Sequence, residues 1–227
     1  MNKEWSELNK RMQEQLRKEQ TFPDGIEMLI ALRGKMIDEM LRMKRELLTE
    51  DFSRMPFSKA NGYHSKTIAY SLWHIFRIED IVAHSLIQSD EEIFFLYDYR
   101  ERTKSPIITT GNELQGQQLV DFSKKLDLDQ LYQYVEQVHK STNDLLKNLT
   151  FCDMKCKFNE EDKQRIQNLK VVSTDEQAFW LIDYWCGKDV RGLVQMPFSR
   201  HWIMHIEASL RIENKIRTKV QLINVNS

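Results

Sequence analysis

Three histidines occupy positions from which they can act together as metal ligands. His201 and His205 are four residues apart in the segment His201-Trp202-Ile203-Met204-His205. In an α-helix this spacing puts both imidazoles on one face, roughly 40° apart around the axis, so that both can reach a common point. Neutral imidazole is a good ligand for Zn²⁺, Ni²⁺, Cu²⁺ and Fe²⁺. The pair is therefore a candidate for part of a divalent-metal site.

The face that carries this pair continues into an apolar stripe, which predicts that the pair is buried. Ala208, Ile212 and Ile216 follow His201 at offsets of 7, 11 and 15 residues. Buried imidazoles need partners for their ring nitrogens, and two held close together resist joint protonation. A divalent cation satisfies both requirements. Because the chain has six histidines, such a pair also arises by chance, so hydrogen-bonded core histidines or an exposed pair remain alternatives.

His74 supplies the third candidate ligand. It lies in Ser71-Leu72-Trp73-His74-Ile75-Phe76, in the middle of an apolar predicted helix. A lone core histidine is usually just hydrogen-bonded, but in a helical bundle it can complete a three-histidine site with the pair. Three neutral ligands plus one open position is the pattern of catalytic zinc. We therefore predict His74, His201 and His205 as metal ligands, and no residue stands out as a catalytic base or nucleophile.

The other histidines fit a common site less well. His64 lies in a connector and is a candidate for the mouth of a pocket, whereas His84 is ten residues past His74 and points elsewhere. His139 belongs to Glu136-Gln137-Val138-His139, a single Glu-x-x-His, whereas di-iron bundles need two such motifs and two more glutamates. We expect Glu136 to face solvent. The candidate pair also lacks the glutamate of the His-Glu-x-x-His metalloprotease motif.

Composition predicts the elements that must position these histidines. The chain of 227 residues has only 7 glycines and 4 prolines, which disfavours turn-rich β folds and predicts an all-α protein. The net charge of −1 shows no basic excess, so we expect no nucleic-acid partner. Three cysteines do not suggest a disulfide framework, and no apolar run suits a signal peptide or a membrane span. We therefore expect a cytoplasmic protein without a membrane partner.

Hydrophobic periodicity predicts one helical domain over residues 1–227. An amphipathic arm (1–22) is broken by Pro23-Asp24-Gly25, and a four-helix core with insertions follows over 24–220. Ser65 is the predicted N-cap of the second long helix, and Asp127 or Asp129 that of the third. The long helices are predicted at about 26–48, 65–88, 128–149 and 199–219. The long connections between them argue against simple up-down topology.

The segments between the long helices are predicted from composition. We expect a short helix near 115–125, irregular structure over 150–174, a helix over 175–186 and a loop from Gly187 to Pro197. The helix over 175–186 carries an aromatic group, namely Phe179, Trp180, Tyr184 and Trp185. Two interpretations of this group stay open: it forms a lid or wall of a pocket, or it packs over one end of the bundle.

A histidine in the second long helix, within Leu72-Trp73-His74-Ile75, and a His-x-x-x-His at the start of the last one resemble the DinB/YfiT-like family over about residues 24–220. His74, His201 and His205 match the three metal-binding histidines of that family. The resemblance implies a four-helix bundle with long crossover connections, often dimeric, holding nickel, zinc or another divalent ion. It also implies a small-molecule substrate, since some members of the superfamily are thiol S-transferases that use a low-molecular-weight thiol. The long segment before the last helix, with Trp180 and Trp185, departs from the family pattern.

Three functional hypotheses follow. The first is a metalloenzyme, of the transferase or hydrolase type, in which the three-histidine site activates a thiol or water. The second is a non-catalytic bundle that uses the metal for stability or partner binding. The third, a role in DNA damage suggested only by the family name, is disfavoured by the balanced charge.

Overall fold

The computed structural model describes residues 2–60 and 62–225, and within these ranges the chain is almost entirely helical. The described residues contain no β-strand, only an isolated bridge between Lys157 and Asp189. The predicted all-α class is therefore confirmed. None of the helices in these ranges combines the length and the apolar character that crossing a bilayer requires.

Three of the helices are longer than 20 residues, a fourth reaches that length when the π-helical segment that follows it is included, and the others are shorter. The helices are α1 (Lys3–Gln15), α2 (Phe22–Glu46), α3 (Ile68–Asp80), α4 (Ile93–Leu96), α5 (Tyr99–Arg102), α6 (Gln117–Lys125), α7 (Leu128–Asn148), α8 (Glu160–Leu169), α9 (Glu176–Cys186), α10 (Val190–Gln195) and α11 (His201–Val225). A π-helical segment, Ile81–Gln88, extends α3, and another, Met196–Arg200, joins α10 to α11.

The long helices pack on one another pairwise. Helix α3 contacts α7 and α11, and α2 contacts the same two helices. The apolar core between them includes fully buried side chains from each of the four, such as Met36, Phe76, Val135 and Ile212. Helix α1 packs along α2 and buries Trp5 and Met12. Helix α3 thus lies between two long neighbours, which brings its residues close to the start of α11.

The start of α2 differs from the prediction. Pro23-Asp24-Gly25 does not break the chain but forms the first turn of α2, which begins at Phe22. Proline is tolerated there because the first N–H groups of a helix have no partner within the helix. The break between α1 and α2 lies earlier, after Leu16, where a short 3₁₀ turn at Glu19–Thr21 reverses the chain.

Helix α3 begins two residues later than predicted. Its N-cap is Thr67, whose Oγ1 accepts a hydrogen bond from the backbone N–H of Tyr70 at 3.1 Å, and not Ser65. Every residue from Ile68 to Asp80 is buried, including three charged side chains. The helix therefore has no solvent-facing stripe, and its polar residues must find partners inside the protein.

Two predicted irregular segments are helical. Residues 160–169, within the segment predicted as irregular, form α8, and the predicted loop from Gly187 to Pro197 contains α10. Side-chain capping explains both starts: Asn159 accepts from two backbone N–H groups of α8, and Asp189 accepts from Gly192 N at 2.8 Å. The predicted helices near 115–125 and over 175–186 are confirmed as α6 and α9, and Asp127 caps α7.

Candidate metal centre

The structure brings the three predicted histidines together. The ring centroids of His74 and His201 are 5.0 Å apart, those of His74 and His205 are 4.8 Å apart, and those of His201 and His205 are 4.6 Å apart. One ring nitrogen from each lies within 4.8 Å of the others. Imidazoles at these separations can share one divalent ion, because metal–nitrogen distances are about 2.0–2.1 Å.

The ring of His74 is held in one orientation by its surroundings. Its Nδ1 lies 2.9 Å from the carbonyl oxygen of Thr110, which can only accept, so Nδ1 carries the proton and donates. The ring also stacks on Tyr70 at 5.4 Å with an interplanar angle of 13°. The basic lone pair of His74 is consequently on Nε2. A backbone carbonyl on the distal nitrogen is the usual way in which proteins orient a metal-binding histidine.

All three imidazoles are buried and neutral at physiological pH. Burial, with a smaller contribution from the positive charge of Lys66, lowers the pKa of His74 to about 4, against the opposing effect of the Thr110 hydrogen bond. Burial also holds the pKa values of His201 and His205 well below their usual range, with contributions from the neighbouring histidines. Neutral imidazoles are the form that binds metals.

His201 has a ring nitrogen that the protein leaves unsatisfied. Its Nδ1 is buried, and within residues 2–60 and 62–225 no side chain or backbone group hydrogen-bonds to it. Leaving a buried polar atom unpaired costs roughly 1–3 kcal/mol, so such atoms usually mark a missing water, ion or ligand. The donor set of three neutral imidazoles, one of them under-satisfied, fits a borderline divalent ion such as zinc or nickel.

The π-helical segment before α11 determines where the histidine pair begins. Pro197 has no N–H to continue the helical hydrogen-bond ladder from α10, so the chain widens locally over Met196–Arg200. Ser199 compensates by donating its hydroxyl to the carbonyl oxygen of Gln195 at 2.9 Å. Regular α-helix resumes at His201, which puts His205 one turn further along the same face.

A buried ion pair fixes α11 against the helix that carries His74. Arg33 of α2 forms a bidentate salt bridge with Glu79 of α3, with N–O distances of 2.7 and 2.9 Å, and both side chains are fully buried. The indole Nε1–H of Trp202 donates to Glu79 Oε2 at 2.8 Å. Arg33 also lies over the Trp202 ring, 4.3 Å from its centroid. Because Trp202 follows His201 directly, this network sets the position of His201 relative to α3.

The three histidines line a cavity of about 440 Å³. One wall comes from α3 at spacings of four residues, with Lys66 just before the helix and then Tyr70, His74 and Ile78. Another part of the lining is the aromatic segment of α9, which contributes Trp180, Tyr184 and Trp185. Trp185 is 1% exposed and Trp180 is 50% exposed, so one tryptophan lies inside and the other at the rim. The aromatic segment therefore forms a wall of the cavity.

The remaining histidines lie outside this cluster. His64 is near Arg211, whose Nη2 is 2.6 Å from His64 Nδ1, and it does not line the cavity. His84 contacts Asp90 and Ser141 through its two ring nitrogens, at 2.8 and 2.9 Å. His139 contacts Asn143. Glu136 is exposed, as predicted, and within the described residues no second metal-ligand cluster accompanies it.

Besides the tyrosines, sequence reasoning missed three polar residues of the cavity, namely Lys66, Asn112 and Gln177. The spacing of Lys66, Tyr70 and His74 at four-residue intervals was a signal for the first, since such residues share a helix face. Asn112 had no comparable signal in the sequence, because it lies in the irregular segment between α5 and α6. It becomes part of the cavity lining only when the chain is folded.

No family model matches this chain. Nor does any curated protein match it at a significant level.

Proposed function

We propose that the chain is a divalent-metal protein in which His74, His201 and His205 hold the ion, and that it is a metalloenzyme acting on a small molecule in the adjacent cavity. The observation that carries this proposal is the histidine cluster itself: three buried, neutral imidazoles at ligand distance, opening onto a cavity. Within the described residues no cysteine, carboxylate or further histidine joins them. Structural zinc sites have four protein ligands, so a three-ligand set favours catalysis.

The chain's own groups have defined roles in this proposal. The Thr110 carbonyl keeps the proton on His74 Nδ1, so that Nε2 is available as a ligand. The Glu79–Arg33–Trp202 network holds α11 at the right distance from α3. When bound, a divalent ion lowers the pKa of a thiol or a water molecule at its remaining position and so supplies a nucleophile at neutral pH.

Between these two nucleophiles, the lining of the cavity favours the thiol. Among the described residues, no aspartate or glutamate lines it. Hydrolytic zinc sites generally place a carboxylate beside the attacking water as a general base. A thiol has an intrinsic pKa of about 8.5 and needs less help to ionise. A thiol S-transferase is therefore the preferred reaction type, and a hydrolase is the second.

Membership of the DinB/YfiT-like family, its four-helix arrangement, nickel or zinc as the ion, and a homodimer are part of the proposal. The support for the family is the placement of His74 in the second long helix and of His-x-x-x-His at the start of the last. The pairwise contacts of α2 and α3 with α7 and α11 are compatible with a four-helix bundle.

A non-catalytic metal protein is the alternative function, and one observation favours it. The three histidines connect α3 to α11, so a bound ion would cross-link two core helices and stabilise the fold. The same absence of a lining carboxylate that disfavours hydrolysis is compatible with this role.

Metal binding is tested by equilibrium dialysis of untagged protein against Zn²⁺ and Ni²⁺. We expect the wild type to retain a stoichiometric amount of one of them, and His74→Ala, His201→Ala and His205→Ala each to lose it. His64→Ala is the matched control, because His64 lies outside the cluster, and it should bind like the wild type. Wild-type protein that retains no ion, or alanine variants that bind as well as the control, would refute the proposed site.

The enzyme and the structural protein are distinguished with Co²⁺ as a spectroscopic substitute. An open position admits a small thiol, so adding glutathione or cysteamine should produce a sulfur-to-cobalt charge-transfer band in wild-type protein. A closed structural site should give no new band while the metal still raises the unfolding temperature. The second result would favour the non-catalytic alternative.

A further inference from the structure

The cavity beside the histidines has an unbalanced charge. Among its described lining residues, Lys66 is the one lysine or arginine side chain, and no aspartate or glutamate is present. A divalent ion on the histidines would add to this positive charge. A ligand that fills such a cavity is favoured when it carries negative charge.

Lys66 itself lacks a carboxylate partner. It is partly buried, and within the described residues no aspartate or glutamate lies within ion-pair distance of its Nζ. Its Nζ lies over the face of the Tyr70 ring, 4.8 Å from the ring centroid. Most ammonium groups at protein surfaces are solvated, but this one lies against an aromatic ring at the edge of a cavity. It is therefore placed to bind an anion from outside the chain.

The position of Lys66 sets a distance between two ends of a ligand. Lys66 Nζ lies 4.8 Å from the centroid of the Tyr70 ring, and the centroid of His74 lies 5.4 Å from the same point, so the Tyr70 ring separates the ammonium group from the imidazole. A ligand whose reacting end lies at the histidines and whose anionic group meets Lys66 has to extend along the Tyr70 ring, which a small aromatic compound with a short acidic side chain can do. The cavity volume of about 440 Å³ is within the range of small-molecule sites.

The aromatic wall that α9 contributes favours a ligand with a planar apolar body. Trp180 and Tyr184 contact each other edge to face, with ring centroids 5.6 Å apart. The Trp180 indole N–H is already used, because it donates to the carbonyl oxygen of Gln177 at 2.9 Å. Its ring therefore offers apolar surface to a ligand and no polar group. Met196 and Met204 add flexible, polarisable side chains that adapt to an aromatic ring.

We propose that the ligand of this cavity is a small aromatic carboxylate, whose ring packs against Trp180 and Tyr184 of α9 and whose carboxylate pairs with Lys66. This names the substrate class of the proposed metalloenzyme and rests on that function for the reaction. The binding itself depends only on Lys66 and the aromatic wall, so it can be measured without metal.

The test compares 2-naphthylacetate with its neutral amide, using tryptophan fluorescence and calorimetry on metal-free protein kept in a chelator. Wild-type protein should bind the carboxylate at least about tenfold more tightly than the amide, as expected for a charge-assisted contact in a partly buried site. Lys66→Met should reduce this preference to less than about twofold, and Lys66→Arg should retain most of it. Lys10→Met, an exposed lysine outside the cavity, is the matched charge control.

Equal affinity of wild-type protein for the carboxylate and the amide would overturn the proposal, as would an unchanged preference in Lys66→Met. The same titrations in the zinc form separate the two ideas. A preference for the carboxylate that appears only with zinc, and that is unchanged in Lys66→Met, would contradict the role of the lysine. It would support binding of the carboxylate by the metal. A Lys66-dependent preference in a protein that binds no metal would support the ligand class and contradict the proposed metalloenzyme.

Discussion

Trp202 of α11 donates its indole N–H to Glu79 of α3 at 2.8 Å, in the interior of the protein. The acceptor is the same carboxylate that pairs with Arg33, so one buried group connects three helices. His201 precedes the tryptophan directly, and His74 lies five residues before the glutamate. The contact therefore controls the distance between the two helices that carry the candidate ligands.

Removing this hydrogen bond should weaken both the fold and the metal site. Trp202→Phe keeps an aromatic ring but takes a donor from a buried carboxylate, which should lower the free energy of unfolding by about 1.5–3 kcal/mol. It should also reduce Zn²⁺ affinity, because α11 is freer to shift against α3. Urea unfolding and zinc titration measure the two effects.

The matched control is Trp180→Phe, which removes an indole hydrogen bond to a backbone carbonyl at a half-exposed position. We expect it to change the free energy of unfolding of metal-free protein by less than about 0.5 kcal/mol. Equal losses in the two variants would mean that the Glu79 contact has no special role.

The buried histidines should make the metal-free protein sensitive to acid. Burial lowers the pKa of His74 to about 4 and that of His139, which also faces the Arg33 charge, to about 3. The unfolded chain binds these protons below its ordinary pKa of about 6.5, whereas the folded protein does not. Stability should therefore be fully present above pH 6.5 and fall steadily as the pH drops from 6.5 towards 4.

His139→Gln isolates one contribution, because His139 is outside the metal cluster. Between pH 6 and pH 5 its free energy of unfolding should depend less on pH than that of the wild type, by about 1 kcal/mol per pH unit. Urea unfolding at several pH values in the presence of a chelator measures the two slopes. Identical slopes would show that His139 is protonated to the same extent in the folded and unfolded states.

Gly111 should be needed for the orientation of His74. It follows Thr110, has a φ of +78°, and an added Cβ would lie 3.0 Å from Cε2 of Tyr70, the ring that stacks on His74. Gly111→Ala should therefore lower the free energy of unfolding by about 1–2 kcal/mol and weaken zinc binding. Both are measured on purified protein by urea unfolding and metal titration.

Gly34→Ala is the control, and we expect it to change the free energy of unfolding in the opposite direction. Gly34 lies inside α2, and an added Cβ would have no neighbour within 4 Å. Replacing a helical glycine with alanine should raise the free energy of unfolding by about 0.5–1 kcal/mol and leave zinc affinity unchanged. A loss of zinc affinity in this variant as well would point to a general effect of substitution and remove the argument for Gly111.

The elements of the fold were largely predictable because helices repeat every 3.6 residues and their ends carry local signals. The stripe through Ala208, Ile212 and Ile216 is buried as predicted, and Asp127 caps α7. The errors occurred where a local signal was ambiguous. Pro23 marks the first turn of α2 and not a break, and the polar segment that contains α8 buries only Ile166 of that helix, which leaves almost no apolar stripe to detect.

The sequence alone determined the candidate ligands, because the spacing of His201 and His205 and the apolar surroundings of His74 are local patterns. The convergence of the three rings was decided by the tertiary structure, as were the groups that serve them. The Thr110 carbonyl is 36 residues from His74, and Trp202 is 123 residues from Glu79. Contacts between positions so far apart in the chain produce no periodic pattern in the sequence. They arise when α3 and α11 pack together, and that packing also creates the cavity lined by Lys66 and α9.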